Sequence, residues 1–149
     1  MVVREFTQSD TTRVLELLNL NIPSSFAETE VKDFEQYLQF EREHYFVICI
    51  DQIVVACGGI NFKNTPEQAW LSWDIVHPDF QGKGLGGSLV THRLNYLKDH
   101  FKIDTVWVRT SQLANRFYEK AGFKESNRIE DFWSTGFDLV EMQLQIPQK

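Results

Sequence analysis

The sequence predicts an α/β fold, with a mostly antiparallel sheet in its first half and a strand–helix–strand unit in its second. Three observations carry that reading. Two apolar runs, "HYFVICI" and "IVVACGGINF", are joined by Asp51-Gln52, a two-residue connection suited to a hairpin. Four glycines fall within residues 82–87, between a strand-like run and an amphipathic helix pattern. Further on, "DTVWVRT", "LANRFYEKAG" and "FKESNRI" alternate strand, helix and strand.

The elements follow in order. "VVREFT" alternates as a short strand, and Ser9 or Asp10 is placed to cap a helix through "TTRVLELLNL". "NIPSSFAETE" is loop, broken by Pro23 and two serines. A second helix runs through "ETEVKDFEQYLQFERE", with Val31, Phe34, Tyr37 and Leu38 on one face. After the hairpin, "NTPE" forms a turn into the strand "EQAWLSWDIV". "LGGSLVTHRLNYLKDHF" is helical, with Leu85, Leu89, Leu94 and Leu97 as its core contacts. The short helix "LANRFYEKAG" stops at Gly122, and "FDLVEMQLQI" closes the chain as a strand with Phe137, Leu139, Met142, Leu144 and Ile146 as apolar positions. No repeat, low-complexity tract or linker interrupts the sequence, so residues 1–149 are expected to form one domain.

Composition narrows the classes of function. An apolar share of 42% and an aromatic share of 13% suit a packed globular chain. A net charge of −6 argues against nucleic-acid binding, which needs clustered Lys and Arg, and instead favours cationic small molecules or basic peptides. "MVVREFTQSD" has no apolar core of signal-peptide length, and no run approaches a membrane span, so the expectation is a cytoplasmic protein without membrane contact. Cys49 and Cys57 both sit in apolar strand-like runs and are read as buried thiols.

The glycine run poses the functional question. A glycine-rich loop between strand and helix brings backbone close to a ligand, most often a phosphate. Residues 82–87 satisfy G-x-G-x-x-G, yet four residues, 77–80, intervene after the strand, and Asp104 stands at the start rather than the end of the next one. A P-loop is excluded because Gly82-Lys83 is not followed by Ser or Thr. The pattern that fits is Q-x-x-G-x-G, in Gln81, Gly84 and Gly86, entered by Val76-His77-Pro78.

These residues resemble the pyrophosphate loop of the GNAT acetyltransferases. "LANRFYEKAGF" resembles the same family's downstream signature, a short helix ending in Y-E-K-x-G-F, in the family's order and separation. The resemblance covers nearly the whole chain. It implies a mixed, mostly antiparallel central sheet of about seven strands flanked by four helices. It also implies acetyl-CoA as cofactor, no metal, and direct acetyl transfer to a primary amine. The backbone N–H groups of Gln81, Gly82, Lys83, Gly84, Leu85 and Gly86, with Gly87 in the helix start, would hold the pyrophosphate. The pantetheine would bond to the backbone of Asp74, Ile75 and Val76, and the Asp74 N–H would polarise the thioester carbonyl.

Tyr118 stands where the family places its general acid, to protonate the departing thiolate. An asparagine expected seven residues earlier is Ser111 here, with Asn115 one turn before Tyr118 as its substitute for holding the cofactor. The early-strand glutamate of some members corresponds to Trp70, which leaves Asp74, acting through a water, as the candidate base. His44 and His77 are set aside as strand-start and loop residues. On the acceptor side, Phe26, Phe34, Trp73, Phe132 and Trp133 form a candidate aromatic wall, with Glu28, Glu30, Glu130 and Asp131 suited to a cationic amine. A small-molecule amine is the expected acceptor; a protein or peptide acceptor, or a sensor that binds acetyl-CoA without turnover, are the alternatives. Homodimers are common in the family, and that expectation is carried over.

Overall fold

The computed structural model describes residues 1–63 and 65–147, so Asn64, the first residue of the expected "NTPE" turn, lies outside the described residues. The chain begins with β1 (Val2–Glu5), followed by a 3-10 turn at Gln8–Asp10 and α1 (Thr11–Leu20). The expected cap on α1 takes another form. Asp10 makes no side-chain cap; it turns back to accept from the Thr7 N–H at 2.8 Å and pairs with Arg4 at 2.8 and 2.9 Å. The guanidinium of Arg4 recruits that carboxylate and holds it below the usual carboxylate range.

Helix α2 (Glu30–Gln36) continues as a π turn over Tyr37–Glu41. Its apolar face buries Phe34, Tyr37 and Leu38, while Val31 is partly buried. Strands β2 (His44–Ile50) and β3 (Ile53–Phe62) form the expected hairpin. Asp51 and Gln52 have φ of 50° and 68°, the left-handed pair that a twisted two-residue hairpin turn needs. Then come β4 (Gln68–Val76), a 3-10 turn at Pro78–Phe80, α3 (Leu85–His100), β5 (Thr105–Thr110) and α4 (Asn115–Lys120). Strands β6 (Lys124–Ser134) and β7 (Phe137–Gln145) close the chain. Strand β6 runs beyond the expected "FKESNRI" because Asp131 and Asp138 stitch the distal hairpin. Asp138 accepts from the Asp131 N–H at 3.0 Å, and Asp131 accepts from the Gly136 N–H at 2.7 Å.

Among the described residues seven strands make one sheet, in the order β1-β2-β3-β4-β5-β7-β6. Strands β4 and β5 are its parallel pair; the other neighbours are antiparallel. One face is covered by α1 and α2 through Val14, Leu17 and Phe34; the other by α3 and α4 through Leu85, Leu89, Leu97 and Tyr118. The expected mixed seven-stranded sheet with four helices is therefore what forms.

Two irregularities position the site. The β4–β5 pairing runs from Gln68–Thr105 to Leu71–Val108 and ends there, so the strands part beyond it. On the other edge of β4, Cys57 pairs Ile75 while Gly59 pairs Ser72, so Trp73 and Asp74 together oppose Gly58. This is a β-bulge, with Trp73 at φ 51°, an uncommon conformation for a bulky residue. It is held from outside: the Trp73 ring packs 4.8 Å from Phe34 and 6.3 Å from Phe26, and its carbonyl accepts from the Tyr45 hydroxyl at 2.8 Å. Both cysteines are buried and free, and burial pushes the Cys57 thiol up to about 12.

Candidate active site

Without the bulge, side chains along β4 would alternate strictly between the two faces of the sheet. The extra residue turns Asp74 toward α3 and α4. There its Oδ1 accepts from Arg93 Nη1 at 2.6 Å and its Oδ2 from Arg93 Nη2 at 2.7 Å. Arg93 is fully buried on α3 and also donates to the carbonyls of Gly59 at 2.9 Å and Leu89 at 3.2 Å. Gly58 makes the room. A Cβ there would lie 2.6 Å from Asp74 Oδ1 and 2.9 Å from Arg93 Nη1. Burial works against the Arg93 charge, but the charge of Asp74 and its hydrogen bonds override it, so the guanidinium stays firmly protonated.

The third member is Tyr118 on α4, whose hydroxyl donates to Asp74 Oδ2 at 2.5 Å. Burial first, and the neighbouring carboxylate second, push the Tyr118 hydroxyl well above its ordinary range, so it keeps its proton at any physiological pH. The structure brings together Asp74 and Tyr118, both named from the sequence, with Arg93, which was not. An arginine among the leucines of α3's inner face was the available signal, since a cation there demands a buried partner.

A cleft of about 990 Å³ runs along the opening between β4 and β5. At one end lies the loop 77–84. Its 3-10 turn is capped by His77, whose Nδ1 accepts from the Asp79 N–H at 3.0 Å, which accounts for that histidine without a role as base. Gln81 ties the loop down by donating to Asn21 Oδ1 at 2.9 Å and to the Val76 carbonyl at 3.1 Å. Asn21, buried at the end of α1, was not foreseen; it also donates to Val76 and Leu17. Gly84, at φ 83°, begins α3 with no side-chain cap, so the first turn's N–H groups face the cleft end unclaimed by a cap.

Of the expected cofactor contacts, Asp74, Ile75, Val76, Gln81, Gly82, Gly84, Leu85, Gly86, Gly87, Ser111 and Tyr118 all line the cleft. Lys83 and Asn115 are not on its wall. The Lys83 ammonium lies 5.2 Å from the Phe80 ring, and the Asn115 amide donates to Glu119 at 3.3 Å. Ser111 uses its Oγ to accept from the Leu113 N–H at 3.2 Å, starting the turn into α4.

The far end of the cleft is polar and aromatic. Asn61 Oδ1 accepts from Tyr37 OH at 2.7 Å and Ser72 Oγ at 2.8 Å, and its amide donates to Glu43 at 2.8 Å. Of the aromatic set, Phe34 is core, Phe26, Trp73 and Trp133 line the cleft, and Phe132 is exposed. Of the acidic set, only Glu30 lines it. Burial raises its carboxyl, and it accepts from the Ala27 N–H at 2.7 Å. Glu28, Glu130 and Asp131 are exposed and off the wall.

An open mixed sheet parted at one parallel pair, with an uncapped helix start at the mouth, is a fold seen before. The chain matches the acetyltransferase (GNAT) family over residues 11–123 and belongs to that family. It is similar to the amino-acid acetyltransferase of Pasteurella multocida, 26% identical over 122 residues that make up 82% of this chain and 27% of that protein. It spans under half the length of the first curated relatives it matches. Among solved structures, the ribosomal-protein-S18-alanine N-acetyltransferase of Escherichia coli superposes with a TM-score of 0.81 at 21% identity, covering 99% of this chain and 95% of that one. An aminoglycoside 6'-N-acetyltransferase complexed with coenzyme A superposes with a TM-score of 0.80 at 15% identity, covering 100% and 99%. Among the described residues no helix is long and apolar enough to cross a membrane.

Proposed function

We propose that the chain is an acetyl-CoA-dependent N-acetyltransferase that moves an acetyl group directly to the primary amine of a small molecule. The observation that carries this reading is the parted β4–β5 pair, open onto the uncapped start of α3 at one end and onto the Tyr118 hydroxyl along its wall. The residues present fit coenzyme A. Gly82 and Gly84 leave open space where any Cβ would stand, and the first-turn N–H groups of α3 with the positive end of the helix suit a pyrophosphate. Beyond Leu71, the β4 edge that turns away from β5 offers backbone groups to an extended pantetheine. Bound there, acetyl-CoA supplies an activated thioester.

This chain's own groups then act on charge and protons. Backbone N–H groups at the bulge, that of Asp74 foremost, stabilise the developing oxyanion. Tyr118 gives its proton to the leaving thiolate, and the proton that the acceptor nitrogen loses on forming the amide passes to water, from which Tyr118 regains its own. The Asp74 carboxylate is committed to Arg93 through both oxygens and to Tyr118 through one, and we assign it as the anchor of the acid rather than as a base. Arg93, which reaches no substrate, is a positioning residue. The likeness to amino-acid, aminoglycoside and ribosomal-protein-alanine acetyltransferases supports an amine acceptor in general terms.

The test is thiol release from acetyl-CoA by the purified protein across amines, polyamines, amino acids and basic peptides. Acceleration by a small amine supports the proposal, and acceleration by peptides alone transfers it to a protein substrate. Tight binding of acetyl-CoA with no acceleration by any acceptor would make the chain a sensor.

A further inference from the structure

Resting on that acetyltransferase reading, we infer that the acceptor carries a carboxylate beside its amine, and that Arg109 and Lys63 hold it at the far end of the cleft. The placement follows from the sheet. Trp70 on β4 and Trp107 on β5 are in register and stacked at 5.2 Å, so Trp70, Ser72, Trp107 and Arg109 share the face away from α3. Arg109 is the first β5 residue past the last β4–β5 pair and looks across the opening. Two residues along β4 separate that level from Asp74, about 7 Å at the rise of a strand. That spacing suits one small molecule bridging the reacting centre and Arg109.

The chemistry of this wall asks for an anion. The Arg109 guanidinium is half-buried, 5.1 Å from the Phe132 ring and 6.0 Å from that of Trp133. Its nearest carboxylate, Glu141 on β7, is 3.5 Å from Nε and misaligned, so Nε is buried with no hydrogen-bond partner among the described residues. Lys63, just past β3, lays its ammonium 4.2 Å from the Trp70 ring, with no ion pair to any carboxylate among the described residues. Burial first, and the Arg109 charge second, lower the Lys63 ammonium, so the two cations already feel one another.

The neighbouring acids engage them only in part: Glu141 reaches Arg109 through Nε alone, without a hydrogen bond. Glu43 has its Oε2 taken by Asn61 and by the Phe62 N–H at 2.9 Å, while Glu41 and Glu141 act on Lys63 only at longer range. Two cations with unspent donors on one stretch of the cleft wall suit a planar monoanion, which would sit between them and away from Glu41 and Glu43 on the same lining. Trp133, on the same lining, would flank the acceptor's body.

The experiment binds products, so it does not depend on turnover. Coenzyme A is titrated first by calorimetry. The coenzyme A complex is then titrated with N-acetylalanine, N-acetylglutamate and N-acetylphenylalanine, each against its own primary amide. We expect at least one acid to bind about ten- to a hundredfold more tightly than its amide, as a charge-assisted pair would give. Arg109→Gln should bring that ratio close to one, Lys63→Gln should reduce it, and coenzyme A affinity reports that both variants are folded. Equal or undetectable binding of acids and amides, or a ratio that survives Arg109→Gln, overturns the carboxylate site and leaves the acetyltransferase reading standing. Failure to bind coenzyme A removes that reading and this inference with it.

Discussion

The Tyr118 hydroxyl faces a carboxylate in a buried setting, and its proton is therefore held far more tightly than in water. Replacing it by Phe should lower kcat by about a hundredfold with the KM for acetyl-CoA little changed. Because both burial and Asp74 raise its ionisation, the wild-type rate should show no alkaline loss from this group up to about pH 10, where a free tyrosine would ionise. A falling limb near pH 8 that disappears in Tyr118→Phe would contradict that assignment. The ion pair behind it gives a separate test. Arg93→Met leaves Asp74 buried without its cation and should cost about 3–5 kcal/mol in urea unfolding. Asp74→Leu combined with Arg93→Met replaces a buried pair by apolar volume and should recover most of that stability while kcat stays low. A double variant with wild-type turnover would mean that the pair positions nothing.

At the scale of elements, the start of α3 and the bulge in β4 do different work. The helix start leaves its donors and dipole without a side-chain cap at the end of the cleft where we place the pyrophosphate, and Gly84 permits it by turning the chain at φ 83°. Gly84→Ala should cost about 1–2 kcal/mol in that left-handed conformation, read as roughly tenfold weaker coenzyme A binding. Undiminished affinity would show that the loop does not need this conformation to hold the ligand. The bulge converts one extra residue into a change of face, sending Trp73 to the α1–α2 side and Asp74 to the α3–α4 side. Strand alternation read from the sequence places Trp70 and Asp74 on one face, and the bulge is what breaks that parity.

Across the whole molecule, the site is assembled from four places far apart in the chain. Gly58 on β3 makes space, Asp74 on β4 and Arg93 on α3 pair, and Tyr118 on α4 closes on them. A ligand lying between β4, α3 and α4 ties both halves of the sheet together, so folding and binding are linked. Coenzyme A at about a hundred times its Kd should add about 2.7 kcal/mol to unfolding and raise Tm by several degrees. A Tm indifferent to saturating coenzyme A would argue that the cleft does not take it.

Much of this was legible in the residues themselves. The hairpin at Asp51-Gln52, the glycine loop from Gln81 and the helix ending at Gly122 are local signals, because backbone conformation there depends on the residues that adopt it. Apolar periodicity likewise marked Leu85, Leu89 and Leu97 as core. The sequence could name Asp74 and Tyr118 but not join them. The partner of Arg93, the role of Asn21 and the pairing of Lys63 with Arg109 became visible only once strands and helices were packed, since a side chain's partner is set by contacts between residues distant in the chain. A charge on an apolar helix face declares that it needs a counter-ion; only the tertiary structure, through the bulge at Trp73 and the space left at Gly58, decided that Asp74 would be that counter-ion and that Tyr118 would share it.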